Sequence, residues 1–172
     1  MDCRFAVNGL ASKLLHYHTF SLKENSVCKN CNELDIAVSV LPIICANEAV
    51  KIDFSNLVAA IETNFPEYKC DVCQQFKEVL REFGKHVYVE LPHEEESALS
   101  NIPHIITLGG NNYSLLGVIL YEPALIKDMI PHYKAAVKKF NTWEEYDYMK
   151  KSPRTILCSK PVIISSLLYI MT

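Results

Sequence analysis

At 172 residues, with 49% hydrophobic and 22% charged side chains, the chain has the composition of one globular domain able to bury a core. A formal net charge of −3, with no run of Lys or Arg longer than two, leaves no basic footprint for nucleic acid. No apolar stretch approaches the ~20 residues of a membrane-crossing helix, so neither nucleic acid nor a membrane is an expected partner.

The start, MDCRFAVNGL, lacks the charged-then-apolar layout of a signal peptide. The seven cysteines are an odd number, and four of them form Cys-x-x-Cys pairs. That pattern points to metal in a reducing compartment, cytosol or nucleus, over a disulfide framework.

Residues 1–27 hold one short helical candidate over 10–18, then an extended stretch. Cys3, preceded only by Met1 and Asp2, has no helix N-terminus beside it to activate a thiolate and reads as an ordinary terminal cysteine. Cys28-Lys29-Asn30-Cys31 and Cys70-Asp71-Val72-Cys73 are knuckles of the metal-binding type. Together they can present four thiolates to one zinc ion at ~2.3 Å. The stretch between them is long for a compact ribbon, so a subdomain must fill it. It would comprise an apolar strand over 36–44 and a helix opening at Asp53, with Phe54, Leu57, Val58 and Ile61 on one side.

Cys45 and Cys158 have apolar neighbours and read as small core residues. The spacing of Phe76, Val79, Leu80 and Phe83 predicts a second helix, closed by Gly84. Residues 85–91 alternate His86, Tyr88 and Glu90 against Val87, Val89 and Leu91, the pattern of a half-exposed strand. A charged loop over 92–100 and a short strand over 102–108 lead into the turn at Gly109-Gly110.

Residues 113–121 are apolar on both alternating faces, as in a buried strand, with Gly117 marking a close backbone approach. Pro123 and Pro131 bracket a loop, after which His132 stands at the mouth of a strand over 133–140. A turn at Asn141-Thr142 leads to a third strand that starts at Trp143 and carries Asp147. Cross-strand neighbours lie ~5 Å apart, so a histidine and an aspartate on adjacent strands can face each other. A carboxylate so placed orients an imidazole as the general base of a nucleophile. An irregular basic stretch over 150–160 and an apolar strand over 162–170 complete the chain.

Tyr113-x-Leu115-x-Gly117-Val118-Ile119, then His132-Tyr133-x-Ala135, then Trp143-x-x-Tyr146-Asp147 resembles the histidine box of ubiquitin-specific proteases and their SUMO-specific relatives, which are papain-like cysteine isopeptidases. The two knuckles, with Asn64-Phe65-Pro66-Glu67 ahead of the second, resemble the zinc-binding fingers of that family, and the order of motifs matches from about residue 15 onward. The resemblance implies an α+β fold: the C-terminal half of a papain-like protease, an antiparallel palm over about 85–172 with a zinc-ribbon fingers region over about 15–84 and a few short helices. It implies His132 as the catalytic histidine, Asp147 as the residue orienting it, structural Zn²⁺ on Cys28, Cys31, Cys70 and Cys73, and ubiquitin or a SUMO-type modifier as partner. Pro131 stands where the family usually has Gly, and Tyr148 where a second acidic residue usually follows.

The family's cysteine box and helical thumb have no counterpart here. Few residues precede the matching region, and one helix alone averages ~11. The expectation is a fragment or truncated remnant of a deubiquitinase-like thiol protease, inactive by itself. The alternative is a non-catalytic zinc-finger module that binds ubiquitin, SUMO or another protein.

Overall fold

The computed structural model describes residues 21–39, 43–45, 53–91, 96–124 and 132–172. The helix expected over 10–18, Cys3, the Cys45 side chain and Pro131 lie outside them. In chain order the strands are β1 (Leu22–Val27), β2 (Leu34–Ser39), β3 (Ile43–Cys45), β4 (Glu78–Phe83), β5 (His86–Glu90) and β6 (Glu96–Ala98). They continue as β7 (Ile105–Leu108), β8 (Asn111–Glu122), β9 (His132–Lys139), β10 (Thr142–Tyr146), β11 (Arg154–Ile156) and β12 (Pro161–Met171). Among the described residues one α-helix, α1 (Leu57–Thr63), lies between β3 and β4.

Strands hold 55% of the described residues and helix 8%, so the fold is mainly β and the expected α+β class is corrected. The cause is tertiary pairing at two places. Residues 76–83 carry a helical spacing, yet β1 offers them an edge that pairs from Leu22↔Phe83 to Val27↔Glu78, and they form β4. Helical propensity is a weak prior beside a ladder of that length. Residues 154–156 likewise leave the expected irregular stretch, because β10 gives them an edge at Trp143↔Ile156.

Two sheets result. The smaller one has the antiparallel order β2-β1-β4, and the larger runs β11-β10-β9-β8-β12-β5-β3, with β6 on β12 and β7 on β8. The single strand expected over 36–44 is split between them, β2 in the small sheet and β3 parallel to β5 in the large one. Long strand β12 is the spine of the large sheet, and β-bulges near Ser166 and Tyr169 let it follow β8. The strand expected to be half exposed, β5, is buried from His86 to Val89: it lies between β12 and β3, Val87 and Val89 join the core, and His86 and Tyr88 bond to the buried Ser21 and Ser166 hydroxyls.

Helix α1 packs Leu57, Ala60 and Ile61 into the common core, where Phe83, Leu108 and Tyr113 also sit. Buried tyrosine hydroxyls find acceptors, Tyr113 donating to the Gly84 carbonyl at 2.9 Å and Tyr169 to the Pro103 carbonyl at 2.8 Å. The turn at Gly109 and Gly110 has φ of 55° and 81°, where glycine carries no Cβ penalty. Gly117 is the close approach its sequence context predicts: a Cβ there would lie 2.9 Å from the Ala136 carbonyl oxygen on β9. Among the described residues no helix is long and apolar enough to cross a membrane.

The small sheet has unequal faces. Ile36 and Leu80 both stand opposite Asn25, so they share a face, and Leu34 and Val38 lie two positions either side of Ile36 on β2. These four are exposed at 59%, 68%, 57% and 58% respectively. On the opposite face Arg81 ion-pairs with Glu24 at 2.8 Å and lies 4.5 Å over the Phe65 ring.

Candidate functional site

Two groups of reactive side chains stand at separate places on this frame. The first is built by two knuckles of the same backbone shape. In one, the Asn32 N–H donates to the Cys28 carbonyl (2.8 Å) and the Cys28 N–H to the Glu33 carbonyl (3.0 Å). In the other, the Gln74 N–H donates to the Cys70 carbonyl (2.9 Å) and the Cys70 N–H to the Gln75 carbonyl (2.8 Å). Asn32 and Gln74 take φ of 55° and 60°, the left-handed step that closes each turn.

The turns bring the four sulfurs of Cys28, Cys31, Cys70 and Cys73 within 4.8 Å of one another, with Cys28 Sγ and Cys73 Sγ at 3.4 Å. A tetrahedron with ~2.3 Å zinc–sulfur bonds has sulfur–sulfur edges of ~3.8 Å, so the cluster fits zinc after shifts of about 1 Å or less. The backbone N–H of Gln75 leads the groups that lower the Cys73 thiol to about 6, while the Cys31 thiol, donating toward Cys73, is pushed up to about 12. Cys73 is therefore ionised ahead of Cys31 and Cys70, whose thiols are both raised. The Cys70 thiol donates to Glu33 Oε2 at 3.0 Å, and the buried Lys77 ammonium bonds to both Glu33 and Asp35. Glu33 thereby links the Cys70 thiol to the Lys77 ammonium.

The second group surrounds His132, the first residue of β9. In the register of the hairpin it stands directly opposite Glu122, the last residue of β8. Its Nε2 is 3.0 Å from Glu122 Oε2 and 3.8 Å from Asp147 Oδ2. Asp147 follows β10 and is held by its own turn: Oδ1 accepts the Met149 N–H at 3.0 Å, and Lys150 Nζ lies 3.3 Å from Oδ2. The Met149 hydrogen bond, then Lys150, hold its carboxyl below the usual carboxylate range against the opposing effect of burial. Two residues along β9, Lys134 is 5% exposed, with Nζ at 2.6 Å from Glu122, 3.8 Å from Glu145 and 3.9 Å from Asp147. The hydrogen bond from Lys134 draws the Glu122 carboxyl down in turn. A hollow of about 410 Å³ lined by Tyr133, Asp147, Tyr148, Lys150 and Pro153 opens beside the cluster.

An imidazole whose Nε2 faces carboxylates keeps its proton there and presents the Nδ1 lone pair to a proton donor. Among the described residues no cysteine hydrogen-bonds the His132 ring. Four are drawn into the knuckle cluster, and Cys158, expected in the core, is exposed. The structure thus brings His132 and Asp147 together, and separately the four knuckle cysteines. It adds Glu122 and Lys134, which the sequence reading passed over. The cross-strand pairing that selected Asp147 would have selected Glu122 once the ends of β8 and β9 were matched.

No protein-family model and no curated protein matches this sequence. Solved structures do match by fold. A chain of the SAGA Ubp8/Sgf11/Sus1/Sgf73 DUB module aligns with a TM-score of 0.59 and 12% identity, over 100% of this chain and 43% of that one. The same module bound to ubiquitin aldehyde gives 0.53 and 12%, over 98% and 48%. A yeast SAGA DUB module with a mutant Sgf73 gives 0.59 and 13%, over 90% and 39%. This chain therefore spans less than half of the chains it matches, and what it shares with them is a ubiquitin-protease-like fold.

Proposed function

We propose that this chain is the metal-holding and histidine-bearing half of a cysteine isopeptidase fold that acts on ubiquitin or a SUMO-type modifier, with residues 15–84 as its fingers and 85–172 as its palm. The observation that supports it most is the pair of clusters on one ubiquitin-protease-like frame: four thiols within 4.8 Å at one place, and a histidine within 4 Å of two carboxylates at another. In this reading His132 is the general base and Asp147 supplies negative charge beside its Nε2. Cys28, Cys31, Cys70 and Cys73 hold structural Zn²⁺, which fastens the two knuckles and takes no part in bond breaking. The cytosol or nucleus, where thiols stay reduced, is the compartment this requires.

The modifier would dock on the apolar face of the small sheet. Leu34, Ile36 and Val38 form an exposed row along β2, and Leu80 is exposed on the same face across Asn25 of β1; exposed apolar groups of that kind mark protein contacts. Strand β5 is buried and offers no such surface. The test is a titration of isotope-labelled ubiquitin, and separately SUMO, with the zinc-loaded chain. Resonance shifts in one modifier, abolished by Ile36→Asp or Leu80→Asp, are the expected result. No shift in either modifier at high micromolar chain sinks the reading.

The second reading, a binding module without catalysis, is favoured by one feature: no described cysteine lies in hydrogen-bond contact with His132. A propargyl-ended modifier separates the two. The capture is tried on the chain joined to a nucleophile-bearing half of the same fold: capture that is lost in His132→Ala supports the first reading, whereas non-covalent shifts without capture there leave only the binding module.

A further inference from the structure

We propose that Glu122 is the residue that positions the His132 ring. The inference rests on reading His132 as a base and extends it by naming the group that holds Nε2. His132 Nε2 is shut off from water and makes no hydrogen bond of good geometry, although Glu122 Oε2 is 3.0 Å away. A buried ring N–H without an acceptor is costly, so the nearest carboxylate able to move aligns with it.

Asp147 is not that carboxylate. One of its oxygens is taken by the Met149 N–H, the other faces Lys150 at 3.3 Å, and 3.8 Å to Nε2 exceeds hydrogen-bond reach. Moving it closer would break the turn it caps. Glu122 is 47% exposed, stands opposite His132 in the β8–β9 register, and has a side chain that rotates at little cost. Its Oε2 already accepts from Lys134 Nζ at 2.6 Å, and a carboxylate oxygen has a second lone pair for the ring N–H. Lys134 is thereby part of the device, fixing the oxygen to which His132 is aligned. The edge of Tyr148, with ring centroids 6.3 Å apart, closes the other side of the ring.

The experiment uses the full zinc-loaded chain with ¹⁵N-labelled histidine and follows solvent exchange of the His132 ring N–H by NMR. The expected result is a protected, downfield Nε2–H signal in the unaltered chain and in Asp147→Asn. In Glu122→Ala exchange should be faster by about tenfold or more, tenfold being ~1.4 kcal/mol of protection. Glu122→Gln, which keeps the shape and an acceptor oxygen, should restore part of that protection. A residue of merely structural importance would not act selectively on this proton. Unchanged exchange in Glu122→Ala, or equal acceleration in Asp147→Asn, overturns the assignment. Should the alanine variant fail to fold, unchanged exchange in Glu122→Gln overturns it instead, and faster exchange there upholds it. No modifier is present in this assay, so its failure leaves the binding reading standing, and a failed modifier titration leaves this one.

Discussion

Chelating the metal should loosen one end of this molecule and leave the rest folded. Among the described residues, the only buried apolar side chains between Val27 and Leu34 or between Tyr68 and Glu78 are the cysteines Cys28 and Cys70. That region has almost no hydrophobic core, so a zinc ion on the four thiols would be its main fastening. Apparent binding free energies of about 10–16 kcal/mol at structural zinc sites exceed what two buried thiols could supply by packing. The affinity should also depend steeply on pH. Zinc takes thiolates, and near pH 7 the Cys31 thiol, raised to about 12, and the Cys70 thiol, also raised, both carry protons that binding must displace. The Cys73 thiol, lowered to about 6, is already largely ionised. Two or more protons released per ion mean that affinity rises about 100-fold or more per pH unit near neutrality. Competition with a chromophoric chelator across pH 6.5–7.5 in reductant measures the slope. Hydrogen exchange with and without chelator should show protection lost over β1, β2 and β4 while β8 and β12 keep theirs. A slope of one decade per pH unit or less, or well under one zinc per chain under reducing conditions, would refute the reasoning.

Gly117→Ala should destabilise the large sheet by about 1–3 kcal/mol, because its Cβ meets the Ala136 carbonyl at 2.9 Å, and a denaturant midpoint measures it. The Asp147 carboxyl is held below its ordinary value of 3.8, so its contribution to stability is present above that pH. It should disappear as the pH falls through 3.8 toward the lower folded value, and Asp147→Asn should be less stable than the unaltered chain at pH 7 but equal to it in strong acid. The 172-residue chain should not cleave a fluorogenic ubiquitin or SUMO C-terminal substrate, since loss of a triad member typically costs a factor of ~10⁴ or more. Turnover abolished by Cys3→Ala as well as by His132→Ala would show that Cys3 is the nucleophile after all.

What the sequence determined by itself is local chemistry. Two Cys-x-x-Cys units announce a four-thiol cluster wherever they meet, because a knuckle is closed by its own backbone hydrogen bonds. Gly117 announces a crowded crossing, and the doubly apolar run 113–121 a central strand, because both follow from side-chain size and a period of two. What the tertiary structure decided is pairing. Phe76, Val79, Leu80 and Phe83 fit a helix as well as a strand, and only the free edge of β1 made them β4 and turned an expected α+β fold into a mainly β one. The carboxylate nearest His132 was undecided for the same reason. Asp147 and Glu122 are both close enough in sequence to reach it, and the register of β8 against β9, together with the turn that ties Asp147 to Met149 and Lys150, places Glu122 at 3.0 Å and Asp147 at 3.8 Å. Register depends on contacts between distant residues, which no local pattern contains.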